Sequence, residues 1–295
     1  MADPGSSTHR DRRVRLSGSA QAADGTRLAF QVEGPRSGPP LLLLQGQANS
    51  HRWWRRLRGD FADQWLTITF DYRGTGATQA DLDDGPAWTT AGFAADAAAV
   101  LTSLGQARAD VYATSMGGRI AQELAIARPD LVDRLVLSCT SPGGHLARER
   151  GDDVRRALTD PDQAARHRAT IDLFYSPDFV ERCGGYDLVP TDLLGDPHSA
   201  LAGRRHLAVS ARHDASDRLA EITAPTLVMH GSTDRMTPST NAEAIAAAIT
   251  GAELDVVDGG RHGFFDELRD VVAPRVRAFL GQEPAGPVRV ADASD

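Results

Sequence analysis

The chain alternates between two hydrophobic patterns. Residues 41–44 are four leucines in a row, and a run that is apolar at every position predicts a central parallel strand buried on both faces. Residues 27–32 instead alternate apolar and polar, as a half-buried strand should. With residues 13–17 across the Asp24-Gly25 turn signal they predict a hairpin. Gly38-Pro39-Pro40 separates the two. Further strands are predicted at 66–70, around Val111-Tyr112, at 132–139, 226–230 and 253–257. Helical patterns fall between them: 50–64 with Trp53, Trp54 and Leu57, an Ala-rich stretch at 90–104, a segment after Ser115 with Ile120, Leu124 and Ala125 that ends near Ala127-Arg128-Pro129, then 239–249 and about 265–280.

Regular alternation of strand and helix predicts an α/β fold, a mostly parallel sheet of eight-stranded type with helices on both faces and right-handed crossovers. The rhythm breaks between 145 and 218, where polar sequence carries Phe174, Tyr175, Phe179, Tyr186 and Leu188 as apolar anchors; a mainly helical insertion, a cap, is expected there. The expected division is therefore a disordered start at 1–12, a core of 13–144 and 219–281, the insertion at 145–218 and a flexible tail at 282–295. No internal repeat is visible.

Charge and composition narrow the function classes. The formal net charge of −8 argues against a nucleic-acid partner. All 32 basic residues are arginine, for which genomic codon bias is the plain explanation. The 2 cysteines, Cys139 and Cys183, suit neither a metal site nor a disulfide framework, and Cys139 lies in an apolar run as a small buried hydrophobe would. No apolar stretch is long enough to span a membrane, and residues 1–18 lack a secretory apolar segment, so a cytoplasmic protein with no membrane partner is expected. Oligomeric state, monomer or homodimer, is not readable.

The chemistry centres on Val111-Tyr112-Ala113-Thr114-Ser115-Met116-Gly117-Gly118. A strand runs into a serine with small residues two places before and after it, and a helix follows at once, which is how a nucleophile elbow is built. Ala113 stands where Gly is usual, which is tolerable if that position needs smallness rather than positive φ. A serine hydroxyl is a poor nucleophile without a base, and the base needs an orienting acid. Asp234 lies in the loop after strand 226–230 and His262 in the loop after strand 253–257, both on the rim where ligands bind in such sheets. Each alone is commonplace, a turn aspartate or a surface histidine; together, in the order Ser, Asp, His, they predict a catalytic triad. Met116, opening the helix, is expected to give one oxyanion-hole N–H.

These motifs, with Gln45-Gly46 after the leucine strand, Phe70-Asp71-Tyr72-Arg73-Gly74-Thr75-Gly76, Gly231-Ser232-Thr233-Asp234 and Gly260-Arg261-His262-Gly263-Phe264-Phe265, resemble the α/β-hydrolase superfamily over about 24–142 and 220–281. Within it the chain looks most like the serine-nucleophile group of enol-lactonases, esterases and cofactor-free haloperoxidases. The resemblance implies a second oxyanion donor at the Gln47 N–H, no cofactor and no metal. The family's usual residue at position 45 is His and this chain has Gln; the backbone donor does not need that side chain, but the packing of the loop is altered. Gln45, Asn49, Trp53, Phe174, Tyr175 and Phe264 are the candidate substrate contacts, against the plain readings of loop-holding amides and core aromatics. Asp71 follows a strand, as the nucleophile of the dehalogenase relatives does, but here the elbow holds Ser115, so Asp71 is expected to fix the 73–76 loop. His230 reads as a satisfied rim histidine, His51 and His145 as exposed polar groups near the mouth, and Arg52, Arg55, Arg56 and Arg58 as the solvated face of their helix. Gly74-x-Gly76 lacks the rest of a dinucleotide fingerprint.

The expectation is a serine hydrolase for a small-molecule carboxylic ester, lactone or thioester. The competing readings are triad-dependent non-hydrolytic or C–C bond chemistry, such as cyclisation of a polyketide-like intermediate, and a non-enzymatic ligand receptor on the same scaffold.

Overall fold

A computed structural model describes residues 13–83, 85–194 and 200–282; the expectations for 1–12 and 283–295 lie outside the described residues. The strands are β1 (Arg13–Gln21), β2 (Arg27–Pro35), β3 (Pro40–Leu44), β4 (Leu66–Phe70), β5 (Ala109–Thr114), β6 (Val132–Ser138), β7 (Thr226–Gly231) and β8 (Glu253–Val257). They form one sheet in the order β1-β2-β4-β3-β5-β6-β7-β8. β1, β2 and β4 pair antiparallel, and every other neighbour is parallel. The chain order reverses between β3 and β5, and a doubly wound sheet opens its ligand crevice at the carboxyl ends of the strands beside such a reversal.

Side-chain alternation divides the core. Leu42, Leu44, Val111 and Ala113 face the helices α1 (Thr90–Ser103) and α2 (Met116–Ala127), packing on Phe93, Leu101, Ile120 and Leu124. Leu41, Leu43, Tyr112 and Val136 face the other way, onto Trp54, Phe61 and the helix α9 (Arg269–Leu280) through Val276 and Phe279. All four leucines of β3 are fully buried, each contributing about 1.5–3 kcal/mol of apolar transfer. α7 (Thr240–Ala248) covers the first face through Ala242 and Ile245.

Three expectations change. β1 is longer than residues 13–17, because it pairs with β2 along its whole length, from Arg13 opposite Pro35 to Gln21 opposite Arg27. Residues 50–64 are not one α-helix but a succession of tight 3₁₀ turns, His51–Trp54 and Arg58–Asp60, closed by Trp53 N–H to Ser50 O (3.1 Å), Arg55 N–H to Arg52 O (2.9 Å) and Leu57 N–H to Trp54 O (3.0 Å). Their apolar positions wrap around the segment, so that Trp53, Trp54, Leu57, Phe61 and Trp65 are all buried, which one amphipathic stripe could not achieve. Arg58 is accordingly not on a solvated face: Nε donates to Thr67 Oγ1 (2.7 Å), Nη1 to Thr69 Oγ1 (3.3 Å) and Nη2 to Thr67 O (2.7 Å) and Gln31 O (2.9 Å). The last helix is two, α8 (Phe264–Glu267) and α9, broken at Leu268 (φ −107°, ψ 32°). The short helix is held toward the insertion, where Asp266 accepts from Tyr175 Oη (2.9 Å) and Glu267 from Ser176 N–H (2.9 Å), while α9 turns back onto the sheet.

Between 145 and 218 lie the helices α3 (Asp152–Leu158), α4 (Gln163–Phe174), α5 (Pro177–Cys183) and α6 (Ala200–Ala211). Both ends of this segment leave the sheet rim side by side. Gly143 bridges Asp214, and the Ala215 N–H donates to Pro142 O (2.9 Å).

Candidate active site

Ser115 occupies the hinge between β5 and α2 with φ 54° and ψ −120°, a backbone conformation that costs an L-residue about 1–3 kcal/mol and is kept where the surroundings impose it. Two bonds impose it here: Ser115 N–H to Ser138 O (2.9 Å) and Thr140 Oγ1 to Ser115 O (2.7 Å). Gly117 lets the start of α2 pass over the end of β3. A Cβ there would lie 2.6 Å from Leu44 C and 2.7 Å from Gln45 O, both backbone atoms. At Gly118 a Cβ would meet Thr140 Oγ1 at 2.6 Å. Ala113 lies within β5 without positive φ and is fully buried in the core, so smallness is what its position uses.

The three separated residues converge. His262 Nε2 is 3.0 Å from Ser115 Oγ, and His262 Nδ1 is 2.8 Å from Asp234 Oδ2. A carboxylate only accepts, so the imidazole proton sits on Nδ1 and leaves Nε2 free to accept the serine hydroxyl. Asp234 is aimed by its own loop, since Oδ1 accepts the N–H groups of Met236 (2.8 Å) and Thr237 (2.9 Å). His230 Nε2 donates to Thr237 O (2.7 Å) and lies 3.2 Å from Asp234 Oδ2, so it is a satisfied rim histidine that also buttresses the carboxylate. Burial pushes the Asp234 carboxyl up, but the electrostatic attraction of the facing His262 ring and the hydrogen bonds from His230 and His262 outweigh it and hold the group far below the ordinary carboxylate range. His262 itself is 1% exposed, and its backbone N–H donates to Leu173 O (3.1 Å), so the histidine loop is pinned directly to the end of α4.

The loop after β3 is held by its own amides. Gln45 Nε2 donates to Phe70 O (2.7 Å) and Asn49 O (3.3 Å), Asn49 Nδ2 donates to Gln47 O (2.8 Å), and Ala48 turns the chain at φ 56°. The Gln45 and Asn49 side-chain oxygens are buried without a hydrogen-bond partner. Asp71 does more than fix its own loop. It accepts Ala77 N–H (2.9 Å), His51 N–H (2.9 Å) and His51 Nδ1–H (2.7 Å), tying the 71–77 loop to the segment after β3. His51 is thus partnered rather than a free polar group. Nothing in the sequence pairs it with Asp71, since they lie on separate strand ends.

Of the candidate aromatics, Phe174 meets the His262 ring edge-on at 5.0 Å and Trp53 at 6.2 Å, and Trp53 stacks on Phe265 at 5.8 Å. Tyr175 is fully buried, with its hydroxyl on Asp266 and its ring stacked on Phe179 at 4.6 Å. Phe264 is fully buried against Phe265. A separate groove of about 600 Å³ between α1 and α2 is lined mostly by alanines, among them Ala91, Ala95 and Ala98. Its polar lining, Gln21, Thr102, Ser103 and Arg128, pairs no nucleophile with a base, so it does not rival the serine site.

The alpha/beta hydrolase fold family matches residues 39–268 of this sequence, a span that includes the elbow, Asp234 and His262. The chain belongs to the alpha/beta hydrolase fold family. Among curated members it is 27% identical over 243 residues to RutD of Caulobacter vibrioides, named as a candidate carbamate hydrolase, covering 78% of this chain and 86% of that protein. It is 28% identical over 261 residues to BpoC of Mycobacterium tuberculosis, named as a candidate non-heme bromoperoxidase, covering 85% and 97%. Among solved structures the enol-lactonase of Burkholderia xenovorans LB400 superposes with a TM-score of 0.71 at 22% identity over 90% of this chain and 100% of that one, a likeness of fold. This alpha/beta hydrolase contains, among its described residues, no helix long and apolar enough to cross a membrane.

Proposed function

We propose that this alpha/beta hydrolase is a serine hydrolase that cleaves a carboxylic ester, lactone or thioester of a small organic substrate through an acyl-enzyme. The observation that carries the reading is the continuous relay Ser115 Oγ to His262 (3.0 Å) to Asp234 (2.8 Å), mounted on a strained turn. Ser115 attacks the acyl carbon as His262 Nε2 takes its proton, and His262 then returns that proton to the leaving group. Asp234 holds the imidazole tautomer and stabilises the imidazolium without being protonated. Water, activated by the same histidine, releases the acid. The N–H of Met116 and, from the loop after β3, the N–H of Gln47 are assigned to the developing oxyanion. The close passage of Gly117 over Leu44 and Gln45 supports this, because it brings the two donor segments together. The insertion at 145–218 is read as a cap that shapes the acyl site through Phe174. Trp53 contributes to the same wall, whereas Tyr175 and Phe264 support it from the core. The names of the similar proteins add ester-like and carbamate-like acyl bonds as the classes to test.

The test is labelling by a fluorophosphonate followed by peptide mass spectrometry, then turnover of an ester, lactone, thioester and carbamate panel in ¹⁸O water. Labelling at Ser115 and one ¹⁸O in the released acid are expected. Modification of another residue, or an unlabelled isomer as product, overturns the assignment, the latter in favour of non-hydrolytic triad chemistry.

A further inference from the structure

Helix α4 cannot satisfy its own carboxyl end. Tyr175 closes it with N–H to Ile171 O (2.8 Å), so the carbonyls of Asp172, Leu173, Phe174 and Tyr175 lie beyond the helical ladder. Leu173, Phe174 and Tyr175 are buried, where a backbone carbonyl needs a donor. Three consecutive residues of the histidine loop supply all four carbonyls. Arg261 Nη1 donates to Asp172 O and to Tyr175 O (2.9 Å), His262 N–H to Leu173 O (3.1 Å) and Gly263 N–H to Phe174 O (2.8 Å).

The two N–H donors belong to the peptide groups on either side of the His262 Cα. Tying both to one helix end fixes the direction in which the imidazole leaves the backbone. Up to Gly260 the loop is held from the sheet side, by Gly260 N–H to Val257 O (3.2 Å) and Thr233 N–H to Gly260 O (2.9 Å). At Arg261 its partners change to the insertion, and the contact continues through Tyr175 on Asp266 and Ser176 on Glu267. Gly263 allows the approach. Its φ of −93° would suit any residue, but a Cβ there would stand 2.9 Å from Phe174 O and 3.3 Å from Phe174 Cδ1. Arg261 adds charge where it helps, since the carboxyl end of a helix is partly negative and a guanidinium offsets it.

Resting on the serine-hydrolase reading, we infer that Arg261 is a positioning residue for the base His262. It acts by capping the carboxyl end of α4, so that the seat of α4 sets how His262 Nε2 stands to Ser115 Oγ. The insertion is then a support of the proton relay as well as a wall beside it. An insertion that lifted at α4 would draw the base away from the serine, so the relay is complete only while α4 is seated.

Saturation kinetics of fluorophosphonate labelling at Ser115 test this, with amide hydrogen exchange measured on the same proteins. R261M should lower the maximal labelling rate about tenfold and leave the half-saturating probe concentration within about twofold of wild type, because the base is displaced and the pocket is not. Its His262 and Gly263 amides should exchange at least about tenfold faster, with those of β5 unchanged. R261K keeps a charge at the helix end and should recover part of the rate. G263A presses on Phe174 O without touching the arginine and should slow labelling in the same way, which keeps the test open if R261M does not fold. R166M is the control, because Arg166 Nη1 donates to Asp160 O inside the insertion; it should label like wild type. Wild-type labelling by both R261M and G263A overturns the inference and leaves the serine reading intact. So does a rise in half-saturating concentration that matches the fall in maximal rate, or an R166M as slow as R261M. If the wild-type chain is not labelled at Ser115, the serine-hydrolase reading fails and this inference falls with it.

Discussion

Replacing Gly117 by Ala tests whether the elbow is built by close backbone approach. The added Cβ would stand 2.6 Å from Leu44 C and 2.7 Å from Gln45 O, with Leu44 O nearer still. Ordinary carbon–oxygen contact begins at about 3.3 Å, so the first turn of α2 must retreat from β3 by most of an ångström. Overpacking against backbone, which cannot rotate away, costs about 1–3 kcal/mol. Against this stands the better helix propensity of Ala, worth about 1 kcal/mol at most. The clash wins, and G117A should be destabilised by about 1–2 kcal/mol, lowering Tm by several degrees. The loss of function should be larger than the loss of stability. A displacement near 1 Å separates Ser115 from the proposed oxyanion donors at Met116 and Gln47, and misplacement on that scale lowers turnover about 100-fold. Urea unfolding and the fluorophosphonate labelling rate measure the two effects. Gly59 is the control, because a Cβ there meets nothing within 4 Å, so G59A should lie within ~0.5 kcal/mol of wild type and label normally. If G117A matched wild type in both measurements, the close-approach account of the elbow would be wrong.

D234N should slow Ser115 labelling by about 10⁴-fold, because an amide can hold the wrong imidazole tautomer; labelling within about tenfold of wild type would exclude the relay. His213 is buried, donating from Nε2 to Gln122 Oε1 (3.3 Å) and accepting at Nδ1 from Thr90 Oγ1 (3.0 Å), and burial lowers its pKa to about 3. Between about pH 3 and the unfolded value near 6.5 the unfolded chain binds the extra proton, so wild-type stability should fall on acidification by about 1.4 kcal/mol per pH unit more than that of H213Q. Parallel pH–stability curves from urea titrations would refute this. Y175F removes the hydroxyl that donates to Asp266 Oδ2 (2.9 Å) inside the core, where burial already raises the Asp266 carboxyl. It should cost about 1–3 kcal/mol at neutral pH and less in acid, where a protonated Asp266 needs no donor; a penalty independent of pH would count against the account.

The strands were legible because a residue buried on both faces must be apolar at every position, as in β3, and a hairpin must turn where Asp24-Gly25 allows it. The elbow was legible because its demand is local: a strand, a serine, and glycines where backbones cross. The 3₁₀ path of residues 51–60 was not, since Trp53, Trp54 and Phe61 take that path to reach a sheet surface made by distant residues. Arg58 leaves the solvated face for the same reason, its acceptors being strand groups on β2 and β4.

The order of elements, the parallel sheet and the candidacy of Ser115, Asp234 and His262 follow from short-range pattern, because side-chain periodicity and turn chemistry act over a few residues. What tertiary structure alone decided is partnership: that His230 braces Asp234, that His51 is bound by Asp71, and that the His262 backbone hangs on Leu173. Partnership depends on where separate loops end in space, and that is set by how the helices and insertion pack on the sheet, which no local stretch of sequence encodes.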